Sequence, residues 1–302
     1  MPNVVILVQS NEKRPMKKYF SILFIVLLAC QTAQKTDQKD VITVTILPQK
    51  YFVDRITGGL YQVNVLIPPG ASPELYSLVP SQLKDVVRSK TWLRMGHVGF
   101  ELSWADKIQA ANPDMQTFIL SEGIDLIVGE EEEHDNHMHP GGVDPHFWMS
   151  PREISIIAEN TLKALVKLYP AQEKLFRENF EKLKIDIEEV DRHISEVLVN
   201  VQNRSFLVFH PALTYFARQY GLEQVALEKM GKEPSPKHVK EVIQFAREKN
   251  IRVIFIQKEF DLTNAQIIAE EIDGNIIQIN PLDYDWVAQM KETTTNLKSA
   301  LN

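Results

Sequence analysis

Basic charge, cysteine and phosphate-binding loops are scarce or missing in this sequence of 302 residues. The formal net charge is −7, which argues against a nucleic-acid partner, because proteins that bind polyanions carry a basic surface. The sequence contains neither the GxxxxGK(S/T) phosphate loop nor the HExxH motif of zinc proteases, so nucleotide hydrolysis and HExxH-type proteolysis are not indicated. The single cysteine, Cys30, has no second cysteine for an intrachain disulfide.

Hydrophobic residues are plentiful, at 44% of the chain. That content and this length are enough to bury a sizeable core, so an intrinsically disordered protein is excluded. The length corresponds to two lobes or to one large α/β domain.

Cys30 ends a segment that is typical of secretion. MKKYFSILFIVLLAC, residues 16–30, begins with two lysines, continues with an apolar run too short to span a bilayer, and places small Ala29 before the cysteine. This segment resembles a bacterial lipoprotein signal with its lipobox at residues 27–30. The resemblance implies cleavage before Cys30 and a lipid on its thiol. The alternative is a buried helix with a cysteine there by chance.

The start of the chain has two interpretations. Met16 lies where such a signal would begin, so residues 1–15 could be an upstream mistranslation. We predict a signal segment over residues 1–29. Residues 30–40, polar and without periodicity, are predicted to be a lipidated tether.

Short β-branched runs alternate with amphipathic stretches from Val41 onward, a pattern that indicates parallel sheets with crossover helices. We predict an N-terminal α/β lobe over residues 41–170 and a C-terminal α/β lobe over residues 202–302. The predicted strands are residues 42–47, 61–67, 91–96, 116–121, 205–210, 224–228, 252–257 and 275–280. The predicted helices of the second lobe are residues 211–221, 235–250 and 263–272.

One long helix, residues 171–201, is predicted between the lobes. Its apolar residues repeat at spacings of four and three, which is the helical period. At 1.5 Å per residue the helix would be about 45 Å long, a rigid strut that limits relative movement of the lobes. A coiled coil is the alternative, because one apolar seam suits either structure. The seam consists of Phe180, Leu183, Ile187, Val190, Ile194, Val197 and Val201.

Five motifs, in this order and spacing, resemble the metal-binding lipoproteins of zinc and manganese ABC importers, the zinc-uptake type of substrate-binding protein. They are PPGASPELYSLVPSQ (68–82), DPHFWMSP (144–151), FHPALTYFA (209–217), GKEPSPKHVKEVI (231–243) and NPLDYDW (280–286). The resemblance covers the chain from about Val41 to its end. It implies two α/β lobes joined by one long helix, with a metal ion in the cleft between them.

Two histidines occupy ligand positions of that family. His146 in DPHFWMSP matches one ligand, with Asp144 available to orient the loop or to support the ligand from behind, and Pro145 to stiffen the approach. His210 ends a predicted strand, where an open parallel sheet presents its ligands. For both, the alternative is a core histidine without metal. For His193 and His238, on helix faces, the structural interpretation is favoured.

Glu74 stands where the family usually has histidine. A carboxylate can bind Zn²⁺, but it also shifts preference toward harder ions such as Mn²⁺ or Fe²⁺. The alternative is a surface carboxylate in a proline loop. His97, after the third predicted strand, could supply a further imidazole, although a structural role is favoured.

The fourth ligand position of manganese-type relatives, an aspartate, is Asn280 here. Its neutral oxygen is a weak candidate ligand, and Glu259, Asp283 and Asp285 are nearby alternatives. Three protein ligands and a water would also complete a zinc site.

An acidic, histidine-rich loop, residues 130–142, precedes His146 and is typical of the zinc-type members. We predict that it has no rigid geometry and that its imidazoles bind metal weakly; a solvated charged surface is the alternative. Those imidazoles belong to His134, His137 and His139.

The sequence therefore predicts a metal receptor rather than an enzyme. Zinc is the expected ion, with manganese or iron as alternatives, and the expected partners are an ABC permease and its ATPase. The protein would be a monomer, lipid-anchored in the periplasm or at the cell surface. A zinc-dependent hydrolase and a surface adhesin are the alternatives from other functional classes.

Overall fold

The computed structural model describes residues 40–129, 132–134, 137–139, 142–228 and 234–302. The predicted signal segment and the predicted lipid site at Cys30 lie outside these residues. Within the described ranges, no helix combines the length and the apolar character that crossing a bilayer requires.

The N-terminal lobe is a parallel four-stranded sheet in the order β2-β1-β3-β4. Val41 to Val44 in β1 are all buried, as expected of an inner strand covered on both faces. The strands are β1 (Val41–Val44), β2 (Gln62–Val65), β3 (Ser89–Arg94) and β4 (Gln116–Ile119), and the intervening helices are α1 (Leu47–Thr57), α2 (Pro80–Val87) and α3 (Gly99–Ala111).

Between this lobe and the next helix, the chain forms a short antiparallel hairpin. Strand β5 (Glu132–His134) pairs with β6 (His137–His139), with His134 opposite His137. The prediction that the whole of residues 130–142 lacks regular geometry was therefore wrong for these two strands. Cross-strand pairing can stabilise two strands even in an acidic sequence.

The stem of the hairpin is closed by pairing between Val128 and Val143. Gly129 N donates to Gly142 O at 3.1 Å, and Asp144 N donates to Ile127 O at 2.9 Å. The chain thus leaves the lobe and returns at neighbouring positions, directly before His146.

The C-terminal lobe is a second parallel sheet, in the order β10-β9-β7-β8. Both of its faces are covered, because Phe206 and Val208 belong to one apolar cluster and Leu207 and Phe209 to another. The strands are β7 (Ser205–Val208), β8 (Glu223–Ala226), β9 (Val253–Gln257) and β10 (Asn275–Ile279). All eight predicted strands are present, so the predicted fold of two parallel α/β lobes is confirmed.

Two helices follow the hairpin in the chain, α4 (Pro151–Leu168) and α5 (Glu173–Leu198). After β7, the chain forms α6 (Thr214–Tyr220), α7 (Pro236–Glu248), α8 (Thr263–Glu271) and α9 (Trp286–Leu301). Helices α2, α4 and α7 start at proline, whose fixed φ suits the first helical position.

Helix α5 connects the lobes and lies within the predicted range of 171–201. It packs against α1 and α4, which precede it in the chain, and against α9, which follows it. The seam is therefore filled by helices of the same chain, which is the arrangement expected of a strut. The buried residues of α5 are Phe176, Leu183, Ile187, Val190, Ile194 and Leu198.

Two tryptophans bind the turn after His146 to the C-terminal lobe. Trp148 Nε1 donates to Pro281 O at 2.9 Å, and Trp286 Nε1 donates to Trp148 O at 2.7 Å. Both indoles are fully buried, so each needs such a partner. The segment after the hairpin is consequently bound to elements from the end of the chain.

Candidate metal centre

Three side chains that the sequence singled out converge in the structure. Donor atoms of Glu74, His146 and His210 all lie within 4.8 Å of one another. His146 Nε2 is 3.2 Å from His210 Nε2 and 3.7 Å from Glu74 Oε1. The two histidines are almost fully buried, at 6% and 8% exposure.

His210 follows the end of β7, next to the end of β8. Because Val208 pairs with Ala226 in parallel register, His210 stands beside Glu228 two residues further along. Glu228 Oε2 lies 2.7 Å from His210 Nδ1. With the Nδ1 proton directed at this buried carboxylate, Nε2 carries the free lone pair.

His146 is oriented in the same way by Asp144. Asp144 Oδ1 accepts from His146 N at 2.8 Å and lies 2.9 Å from His146 Nδ1. Burial alone would lower the pKa of His146, but the hydrogen bond and charge of Asp144, with the charges of Glu74 and Glu228, raise it. Asp144 therefore has the orienting role predicted for it.

Glu74 approaches from the loop between β2 and α2. Ser72 Oγ donates to Glu74 Oε2 at 3.1 Å, and Phe100 N donates to Pro73 O at 2.9 Å. Gly99 lies so close that a Cβ there would be 3.4 Å from the Cα of Glu74. The loop is thus held against the start of α3.

Glu74 Oε1 is buried and has no hydrogen-bond partner. An unpaired buried carboxylate oxygen is costly, and here it faces two imidazole nitrogens whose protons lie on their other side. Three lone pairs directed at one point repel one another unless a cation lies between them.

The spacing of the donors fits one divalent ion. Two donors bound to tetrahedral Zn²⁺ at about 2.0 to 2.1 Å are about 3.3 Å apart, close to the separations observed. The cavity at this point has a volume of about 20 Å³, which suits an ion or a water molecule. Apolar side chains cover it, among them Pro73, Trp148, Phe260 and Leu282.

Asn280 does not join these donors. Its Nδ2 donates to Asp283 Oδ2 at 2.8 Å, and the residue lines a neighbouring cavity rather than the one with the three donors. Asp285 is occupied as the N-cap of α9, where its carboxylate accepts from Ala288 N. The hydrogen bond to Asp283 uses the amide nitrogen and not Oδ1, the predicted ligand atom, so the role of Asn280 as a weak ligand stays a prediction.

Glu259 lines both the donor cavity and the neighbouring one. Burial raises the pKa of Glu259, and the nearby charge of Glu74 raises it further. Its carboxylate is not among the three groups that converge. Among the acidic alternatives to Asn280, Glu259 is the one that lines the donor cavity, so it is the candidate for a fourth ligand.

The remaining histidines lie elsewhere, as far as the described residues extend. His97 packs edge-on against Phe147, with ring centroids 6.4 Å apart, and is outside the converging group. His238, on α7, has its Nε2 atom 3.1 Å from the backbone oxygen of Ala226 in β8, in keeping with a structural role. His134, His137 and His139 belong to β5 and β6, and their weak metal binding stays a prediction.

Sequence reasoning missed Glu228. Its signal was available in principle: it follows a strand adjacent to β7, and carboxyl ends of neighbouring parallel strands share one sheet edge. The order of the strands is needed to see this, because β8 and β7 are joined only through α6.

A family model described as ZnuA, zinc-uptake complex component A, periplasmic, matches residues 42–300. The chain belongs to this family. Members are substrate-binding proteins of zinc ABC importers, so the predicted family and its general function are confirmed.

A crystal structure of ZnuA is 31% identical, covers 87% of this chain and 100% of its own, and superposes with a TM-score of 0.81. The high-affinity zinc uptake system protein ZnuA of Bacillus subtilis is 24% identical over 276 residues, with 86% of each chain covered. A manganese-bound periplasmic metal-binding protein from Candidatus Liberibacter asiaticus shares the fold, with a TM-score of 0.77 at 19% identity and coverage of 87% and 100%.

Proposed function

We propose that Glu74, His146 and His210 bind one divalent transition-metal ion, zinc, as the cargo of an ABC importer. The observation that carries this proposal is the convergence of three donor atoms on a small buried cavity, with Glu74 Oε1 unpaired. The partner carboxylates, Asp144 and Glu228, support it by fixing the Nε2 atoms toward that point.

Release is the second requirement of an importer. Glu74 belongs to the N-terminal lobe and His210 to the C-terminal lobe, so a change in the relation of the lobes would break the ligand set. Three protein ligands also leave a coordination position for water, through which exchange can begin.

Manganese is the second candidate cargo, and Glu74 is the observation that favours it. A carboxylate in place of an imidazole makes the donor set harder, which suits Mn²⁺ better than three histidines would. Two imidazoles still favour zinc among the ions that compete for such a site.

A role in transport rather than hydrolysis is supported by the size of the cavity. A catalytic zinc site needs space for a substrate beside the ion, whereas about 20 Å³ holds only the ion or a water. Ester and peptide hydrolysis by the zinc-loaded protein should equal that of free zinc. Turnover that disappears in His210→Ala would establish an enzyme instead.

We further propose an ABC permease and its ATPase as partners, and a lipid on Cys30 that keeps a monomeric receptor at the membrane. Support for the anchor is the short apolar segment before Cys30 in the sequence. Mass spectrometry of the protein from membranes would detect the lipid, and Cys30→Ala should release the protein.

The central experiment is a competition between metals. Elemental analysis of protein purified without added metal should find one zinc per chain, and a titration of the stripped protein with Zn²⁺ against Mn²⁺ should favour zinc. One tight equivalent that is retained by a Glu74→Ala, His146→Ala, His210→Ala triple variant would place the site elsewhere.

A further inference from the structure

Tyr215 connects the histidine side of the metal centre to the stem of the hairpin. It is the second residue of α6, it lies five residues after His210, and it is fully buried. Its hydroxyl accepts from Ile127 N at 3.0 Å and donates to Asp144 O at 2.9 Å. One oxygen thus bonds to both chain segments of the stem.

The stem has its own hydrogen bond at this position, from Asp144 N to Ile127 O. The Tyr215 hydroxyl bonds to the two remaining backbone groups, Ile127 N and Asp144 O. The two segments of the stem are therefore bonded to α6 as well as to each other. Burial raises the pKa of Tyr215 to about 12, so the hydroxyl keeps its proton at neutral pH. It can therefore donate to Asp144 throughout the physiological range.

Asp144 is the residue that orients His146. The second residue of α6 thus holds the carbonyl of Asp144. Because α6 follows His210, the same short stretch of chain presents one histidine and fixes the support of the other.

We propose that Tyr215 is a positioning residue for metal binding, which holds Asp144 so that His146 Nε2 faces His210 Nε2. This inference rests on the proposed function of the three donors. Tyr215 touches no ligand atom of the metal; it acts through Asp144 on His146.

Tyr215→Phe is the direct test, since it removes one oxygen and keeps the ring. This ring packs on Phe147, with the ring centroids 5.9 Å apart. Zinc affinity, measured by competition with a chelator, should fall about fivefold, the change expected from loss of the hydrogen bond to Asp144. In a His146→Ala background the same substitution should have no further effect, because the residue it positions is gone.

Tyr220→Phe is the matched control. Tyr220 is on the same helix, and its hydroxyl donates to Asp191 Oδ1 at 2.7 Å, away from the donors. Both variants lose a hydroxyl hydrogen bond and should unfold at lower temperature than the parent, but only Tyr215→Phe should lose zinc affinity. A purely structural role would lower the affinity equally in both or in neither.

Three outcomes decide between the proposals. If the parent and Tyr220→Phe bind zinc and Tyr215→Phe binds it equally well, the positioning role is refuted and the metal site stands. If the parent itself binds no zinc, the proposed function fails. If Tyr215→Phe cannot be purified, Asp144→Ala removes the residue through which Tyr215 acts, and unchanged zinc affinity there refutes the same inference.

Discussion

The two sides of the metal centre are built differently. On the histidine side, His146 and His210 are buried, and each Nδ1 lies against its own carboxylate at 2.9 and 2.7 Å. On the other side, Glu74 is 28% exposed at its side chain and is held by Ser72, its near neighbour in the loop. The histidine side is fixed before metal arrives, whereas the position of Glu74 depends on one loop.

This difference assigns separate tasks to the two sides. Preorganised imidazoles supply affinity, because little freedom is lost when the ion binds. Glu74, a carboxylate in a loop, supplies selectivity between metal ions and is a ligand that can dissociate. Four predictions test this division.

The largest effect should come from removing an imidazole. His146→Ala or His210→Ala should weaken zinc binding by more than about 100-fold, since losing a ligand exceeds the cost of losing its hydrogen-bond partner. Calorimetry on the stripped protein measures this. His193→Ala, on α5, is the control and should match the parent; equal affinity in all three variants would refute the site.

The next effect concerns the partner of His146. Asp144→Asn should weaken zinc binding by about tenfold at pH 8, the lower end of the range for such partners. It should also change the pH profile. The pKa of His146 is raised above 6.5, and protonated imidazole cannot bind metal, so parent affinity should begin to fall above pH 6.5 as the pH is lowered.

Without the negative charge of Asp144, the pKa of His146 should drop and the fall in affinity should begin at a lower pH. Zinc titrations between pH 8 and pH 5 measure both changes. A profile identical to that of the parent would show that Asp144 does not act on His146.

Sequence reasoning predicted the ligand set and Asp144, but it missed the other supporting residues, Glu228 and Tyr215. Glu74, His146 and His210 are short-range signals, each in a motif of a few residues at the end of a strand or in a loop. Glu228 and Tyr215 act across strands and between lobes, so their roles depend on sheet order and register. Asn280 is a different case, because its motif position predicts a ligand while the structure places it beside the neighbouring cavity.

The fold was more predictable than the site for a related reason. Strand and helix periods are local properties of the chain, and helix α5 was expected over 171–201 and observed as Glu173–Leu198. The hairpin at residues 132–139 was missed, since its acidic residues have low strand propensity and only pairing stabilises the strands.

Substituting Glu74 should change metal affinity less than the histidine and Asp144 variants do, and the direction of the change depends on the metal. Glu74→His should raise the preference for Zn²⁺ over Mn²⁺ several-fold, because imidazole favours zinc and carboxylate favours manganese. Glu74→Ala should weaken both ions, leaving two histidines and water. Competition titrations with both metals measure the ratio, and Glu122→Ala serves as a control outside the site.

Parent-like affinities for both metals in both Glu74 variants would make Glu74 a bystander. His97 would then be the next residue to substitute, although it lies outside the converging group. A change in zinc affinity without a change in the metal ratio would limit the role of Glu74 to general electrostatic attraction.

The smallest effect on the tight site should come from the hairpin. Deleting residues 130–139 should reduce the number of weakly bound zinc ions, because His134, His137 and His139 are removed, while one tight equivalent remains. The stem explains why the tight site survives: Asp144 is held by Ile127 and Tyr215, which the deletion leaves in place. Calorimetry over a wide zinc range separates the two classes of site. Loss of the tight equivalent would mean that the hairpin, rather than its stem, holds His146 in position.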